Sequence, residues 1–424
     1  MMSPDILGCY PRLQGVAGLA QMPDNFNAGL DSPRGWVVVF AAFLGAFVGF
    51  GVTYSFGVFL KPMALEFHVS HAAMSILFSV IAGLSFFLAP FTGDLADHYG
   101  PRPVVAAGAL LIGAGLLLTA RAHSFALLMV TYGGGLGAAV ACTYIPSVAA
   151  VGEWFKVHRD IALGIAISGI GCGTLVAAPV SALLIERYGW RTSFEIFGLT
   201  SAALLLVCAA LLARPPVVGD KKKVSIEGKL RTRAFTLQYL GLLFSGTAIY
   251  ISFVFLVVYA ADIGASRVAG ATLIGYIGAA SVAGRLGLNA LAPRFGLVTM
   301  YQVAYLLLLA SFAFWLTAHS YASLVAFGLV MGVGYGGIAA MAPAVAANVF
   351  GVEGLGELLG ILFTGFGVAC LVGPPLAGVL VDRTHDYKWP VFVAAGAAVF
   401  AMAIVIPLGR YRAANAEAVA TSAD

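Results

Sequence analysis

One arginine, Arg285, stands in the stretch YIGAASVAGRLGLNALAPRFG, from Tyr276 to Gly296, where nearly all its neighbours are small or apolar. A guanidinium keeps its proton at every accessible pH, so this is a permanent positive charge in an apolar setting. Asp and Glu residues near the apolar runs, among them Glu153, Asp160, Glu186, Asp262, Glu353, Glu357 and Asp382, fall at run ends or in the breaks between them. A cation without a carboxylate of its own is suited to hold an anion supplied by a ligand, and arginine's planar fork matches a carboxylate in a bidentate pair. The same group has a second use: donating to backbone carbonyls or closing one end of a helix pair. Tyr54, Tyr144, Tyr250 and Tyr335, in other apolar runs, offer hydroxyl donors and apolar rings beside an anion. Their ordinary alternative is helix packing or interfacial anchoring.

The elements that must position these groups are membrane-spanning helices. Of 424 residues, 61% are hydrophobic and 10% charged, a composition outside the soluble globular range. The 52 glycines suit helices packed backbone to backbone. Apolar runs of the roughly 20 residues needed to cross a bilayer number about twelve: 35–60, 70–92, 103–121, 125–152, 160–186, 192–213, 235–262, 267–292, 297–318, 322–349, 356–382 and 389–410. The break RPPVVGDKKKVSIEGKLRTRA at 214–234 divides them six and six. The expected organisation is an N-terminal tail (1–34), a six-helix bundle (35–213), a basic linker (214–234), a second six-helix bundle (235–410) and a C-terminal tail (411–424).

Charge placement predicts orientation. Net charge is +4, and Arg12, Arg34, Arg102, Lys156, Arg159, the linker cluster, Arg294, Arg410 and Arg412 share one face if both termini lie there. By the positive-inside rule that face is cytoplasmic, and the Ala- and Gly-rich short-loop composition suggests a bacterial inner membrane. The first 34 residues lack the pattern of a signal peptide. Five cysteines without CxxC spacing read as packing residues. No histidine sits inside a long apolar run, so no metal or haem site is expected, nor any cofactor, catalytic residue or nucleic-acid partner. GGGLG at 133–137 and GIGCG at 169–173 superficially look like phosphate loops, but they lie inside apolar runs and read as close helix packing. Pro146, Pro179, Pro343, Pro374 and Pro375 are candidate hinges or static kinks.

The halves repeat at an offset of 196 residues: LGIAISGIGCGTLVAAPVSALLIER from Leu163 lies without gaps over LGILFTGFGVACLVGPPLAGVLVDR from Leu359. The same offset pairs Tyr54 with Tyr250, Ser85 with Ser281 and Gly100 with Gly296. Two such halves in one orientation form an arrangement that rocks around a midplane site.

Between the second and third runs stands GDLADHYGPRP, in which Gly93, Asp97, Gly100 and Arg102 resemble the loop signature of the major facilitator superfamily. The resemblance implies an all-α integral membrane fold of twelve helices in two pseudo-symmetric halves, with these residues holding a gate. The equivalent NALAPRFG is degenerate, with Pro293 at the place of Asp97. Two further stretches resemble the monocarboxylate transporter family: DSPRGW, which keeps Asp31, Gly35 and Trp36, and EWFKVHRDIALGIAISGIGCG, through Trp154, Phe155, His158, Arg159, Ala162, Gly164, Ala166 and Gly169. Arg159 joins the gate set on this basis. The family's helix-eight arginine, which binds the substrate carboxylate, matches Arg285. Its animal members carry an aspartate one turn earlier and a lysine in helix one; here Ser281 and Tyr54 hold those positions. That resembles bacterial branches and oxalate/formate-exchanging relatives.

The expected function is secondary transport of a small monocarboxylate of the lactate or pyruvate class by alternating access, with proton symport resting on the resemblance. The expected substrate-binding set is Arg285, Tyr54, Ser281, Tyr250, Tyr144 and Tyr335. Expected partners are the anion, protons and the bilayer, with one chain as the functional unit. Competing readings are an oxalate-type anion exchanger, which would want a second deep cation, a drug or metabolite effluxer, and a nutrient sensor built on a transporter scaffold.

Overall fold

The computed structural model describes residues 29–214, 227–318, 320–351 and 354–409, with only the backbone of Asp160. The expected N-terminal tail up to residue 28, linker residues 215–226 and the C-terminal tail lie outside these, as do Arg12, Glu353, Arg410 and Arg412.

The described chain is helical throughout its long elements. They are α1 (Pro33–Phe67), α2 (His71–Phe87 continuing as Ala89–Tyr99), α3 (Pro101–Ala120), α4 (Phe125–Trp154), α5 and α6 (together Arg159–Leu211), α7 (Arg233–Asp262), α8 (Arg267–Phe295), α9 (Leu297–Leu316), α10 (Tyr321–Phe350), α11 (Leu355–Thr384) and α12 (Lys388–Val405). One short turn, Glu227–Leu230, precedes α7. The protein is a multi-pass membrane protein, and its helices follow the predicted runs closely because length and apolarity are local properties of the chain.

Helix ends follow local chemistry. Ser70, Ser124, Thr232, Ser266 and Ser320 accept backbone N–H bonds at the starts of α2, α4, α7, α8 and α10, satisfying donors the helix leaves orphaned. The α5–α6 boundary is a single residue: Gly189 at φ 79° interrupts an otherwise continuous run. One difference from expectation concerns α2. It bends by 42° near Leu88 and then continues to Tyr99, so Gly93 and Asp97 lie on a helix and not in a loop. Pro90 at the start of the second segment lacks the N–H that would carry the helix straight on.

The halves meet along α2 with α11, α5 with α8 and the second part of α1 with α7. The end of the molecule holding the start of α1 and the residues flanking the linker is called the basic end; the opposite is the far end. Both glycine strings pack helices together. A Cβ on Gly137 would meet the Ile81 carbonyl at 2.7 Å, and one on Gly171 the Gly278 carbonyl of the other half at 2.6 Å. Such contacts let α5 and α8 touch through their backbones.

Candidate anion site and the seam between the halves

Arg285 sits on α8, seven residues past Gly278, where the α5–α8 contact is closest. It is 2% exposed, so its side chain does not reach out to solvent. Nη1 donates to the backbone carbonyl of Ile167 on α5, across the seam. Nε and Nη2 are buried and have no hydrogen-bond partner among the described residues. These two nitrogens share one edge of the guanidinium, so their N–H bonds run parallel. That is the edge a carboxylate grips with both oxygens. A backbone carbonyl anchors the cation but does not neutralise it, and an uncompensated charge at bilayer depth costs about 3 kcal/mol or more.

An aromatic group closes around this edge. The Arg285 guanidinium lies 5.6 Å from the Tyr335 ring centre. Tyr335 and Tyr54 approach hydroxyl to hydroxyl at 3.4 Å across the seam, and Tyr54 stacks on Phe253 of α7 with ring centres 4.2 Å apart. Phe50 bridges Tyr54 and Tyr144, at 5.5 and 4.9 Å. Tyr250 packs at the edge of this group against Phe78 and Phe366. Ser281 is buried under Gly171 and donates to the Gly278 carbonyl of its own helix. Thus Arg285, Tyr335, Tyr54 and Tyr144 come together, Tyr250 lies beside them, and the Ser281 hydroxyl is engaged within α8.

The gate candidates are placed at the basic end. Gly93 faces Ile145 of α4, and Asp97 is on an exposed face of α2. Arg102 donates to the Leu212 carbonyl at the end of α6. Gly100 has φ 91° and lies against Arg214, while the exposed Arg159 lies near Gly152. The contacts described for Arg102, Gly100 and Arg159 stay within the N-terminal half.

Sequence reasoning missed the far-end seam. Asp382 on α11 accepts the N–H of His71 and of Ala72 at 2.9 Å each, and its Oδ1 also meets His71 Nδ1 at 3.1 Å. The other ring nitrogen of His71 contacts the Tyr387 hydroxyl at 2.9 Å. A carboxylate from one half therefore caps the positive start of α2 in the other. Gly378, where a Cβ would meet Ala72 backbone at 2.7 Å, permits the approach. Ser79 adds a bond to the Cys370 carbonyl. The usable signal was Asp382 itself, a carboxylate closing an apolar run.

Comparison with known proteins bears on these features. The family model described as Major Facilitator Superfamily matches residues 42–320 and 239–422. Monocarboxylate transporter 3 of Rattus norvegicus is 30% identical over 402 residues, covering 90% of this chain and 81% of its own. Monocarboxylate transporter 13 of Bos taurus is 30% identical over 378 residues, covering 87% of each, and monocarboxylate transporter 4 of Mus musculus is 28% identical over 409 residues, covering 90% and 84%. Among solved structures, a bacterial homolog of the human lysosomal transporter Spinster, inward-facing and occupied, superposes with a TM-score of 0.74 at 14% identity, covering 90% of this chain and 98% of its own. That likeness concerns the twelve-helix fold alone.

Proposed function

The chain belongs to the major facilitator superfamily and, within it, to the monocarboxylate transporter family, and we propose that it carries a small monocarboxylate across the membrane by alternating access. The observation that carries this reading is the Nε and Nη2 edge of buried Arg285, which has no partner among the described residues. A carboxylate there completes the charge that Ile167 leaves unbalanced. The rings of Tyr335, Tyr54 and Phe50 enclose a short carbon chain, and the tyrosine hydroxyls supply donors for its polar substituents.

Among the described residues Arg285 is the one buried Lys or Arg, and one deep cation matches a substrate with one carboxylate. Rocking of the two halves would expose Arg285 to each side in turn, since the arginine and its Ile167 anchor belong to different halves. The basic end faces the cytoplasm on this reading, in keeping with Arg34, Arg102, Lys156, Arg159 and Arg294. Proton symport is the proposed coupling. Because Arg285 keeps its proton at every accessible pH, the coupled proton is held transiently elsewhere while the carboxylate pairs with the guanidinium.

The test is radiolabelled lactate uptake into proteoliposomes, with and without an inward proton gradient, for wild type, Arg285→Lys and Arg285→Ala. The expected result is saturable uptake, stimulated by the gradient, and reduced at least roughly 100-fold in both variants, because lysine lacks the paired donors. Full uptake by Arg285→Ala would overturn the site. Uptake indifferent to the gradient would remove symport and leave exchange.

A further inference from the structure

Away from Arg285, a cavity with the chemistry to hold an anion lies at the basic end of the N-terminal half. It is open to one side, with a volume of about 480 Å³. Arg34 enters from the start of α1, Arg102 from the start of α3 and Arg214 from just beyond α6, with Tyr99 and Trp154 completing the wall. Among the described residues, this lining holds three guanidinium groups and no carboxylate. Three like charges around one cavity repel one another, and an anion between them removes that cost.

Two of the three cationic groups are fixed in place by bonds that leave their charge intact. Arg102 donates to the Leu212 carbonyl and Arg214 to the His98 carbonyl at 3.0 Å. Trp154 Nε1 is held by the Ala213 carbonyl at 3.0 Å, which presents its ring as a wall. Gly100 is required by its backbone, whose φ is 91°, and its missing Cβ leaves room for the Arg214 side chain, which a Cβ would meet at 2.7 Å. Pro101 and Pro103 remove two of the first amide donors of α3. Recognition here therefore falls to guanidinium groups, whose forked donors suit phosphate oxygens.

We infer that this cavity binds the phosphate of an anionic phospholipid headgroup from the leaflet at the basic end. Free phosphate shares the headgroup's chemistry, but the surroundings favour a lipid. The lipid-facing strip of α1 begins directly after Arg34, with Trp36 and Phe40, one turn apart, 39% and 55% exposed. Tyr99, at the mouth, is 67% exposed, an amphipathic ring at the level where headgroups lie. Basic pockets between membrane helices are the recognised setting for anionic headgroups.

The experiment uses full-length protein purified in detergent, with lipid retention read by native mass spectrometry and stabilisation by thermal unfolding. The probes are phosphatidylglycerol, phosphatidylcholine and inorganic phosphate. Wild type should retain phosphatidylglycerol over phosphatidylcholine. Arg34→Gln, an exposed position whose loss leaves packing intact, should weaken retention about fivefold, and Arg34→Gln with Arg214→Gln about 25-fold. Arg294→Gln, another basic-end arginine outside the cavity, should change nothing. Equal retention by wild type and the double variant would overturn the site, as would an equal loss in Arg294→Gln, which would indicate general attraction of charge. Stabilisation by inorganic phosphate equal to that by phosphatidylglycerol, lost in the same variants, would overturn the lipid assignment in favour of a soluble phosphate. Lipid retention is read independently of uptake, so this inference and the carboxylate reading fail separately.

Discussion

At the far end the two halves touch backbone to backbone, whereas at the basic end the inner tips of the seam helices stand free. From Arg285 outward, Gly171 meets Gly278, Gly275 meets the Leu175 carbonyl, Gly57 meets the Phe253 carbonyl and Gly378 meets Ala72. Asp382 adds a carboxylate shared across the seam. Toward the basic end, a Cβ on Gly164 of α5, Gly287 of α8, or Gly356 or Gly360 of α11 would meet nothing within 4 Å. These are the same helices that are in close contact further out. The described bonds of Arg102, Arg214 and Trp154 tie the N-terminal half to itself, and Gln238 and Gln302 do so for the C-terminal half. The contrast teaches that the halves lean together at one end and part at the other. That is the geometry expected of two bodies that rock, closed at the far end and parted at the basic end.

The sharpest way to break the contrast is to fill the midplane contact. In Gly278→Val the new side chain would meet the Gly171 carbonyl and the Leu175 amide, at 2.5 and 2.8 Å from a Cβ alone. Backbone cannot move aside as a flexible side chain can, and overpacking of this kind is strongly destabilising. The far-closed arrangement should be lost, and lactate uptake should fall at least roughly tenfold while the protein still purifies as a monodisperse species. Uptake near wild type would show that the α5–α8 contact is not needed in the cycle.

A milder change releases the far end alone. Asp382→Asn keeps one oxygen acceptor but removes the negative charge from the start of α2, weakening two charge-assisted bonds. Spin labels at exposed Lys61 and Arg383, on opposite halves, should report a roughly tenfold larger population of long distances in the variant than in wild type. An unchanged distance distribution would assign the far-end closure to glycine packing and leave Asp382 a local cap.

How far the sequence reveals these features depends on whether the signal is local. Span positions follow from runs of apolar residues, and Arg285 stands out because one charge interrupts such a run. The division of its donors does not show, because the partner is the carbonyl of Ile167, 118 positions away, and every residue has a carbonyl. Asp382 was equally opaque: its partners include backbone amides 311 and 310 positions away, and the Ser70 and His71 side chains beside them carry no pattern that points to it. The extension of α2 through Asp97 was hidden for the opposite reason. Charged residues at a membrane edge look like a loop whether or not the helix continues beneath them.

The smallest effect belongs to the self-contained basic end. Asp31, just before α1, accepts the N–H groups of His158, Val157 and Lys156 at 3.0 to 3.1 Å, while its own N–H donates to the Trp154 carbonyl. The His158 amide is the strongest influence holding its carboxyl at about 2, below the ordinary 3.8. Because the folded value is the lower one, the ionised carboxylate stabilises the folded protein fully above the ordinary value, and the contribution fades as pH falls toward 2. Asp31→Asn should therefore melt roughly 2 °C below wild type at neutral pH, with the difference persisting to about pH 4 and closing below it. The spin-label distances at Lys61 and Arg383 should stay as in wild type, since Asp31 binds only within its own half. A variant that shifted those distances would show that the basic end of one half influences the far-end seam, and the two ends could no longer be treated as separate.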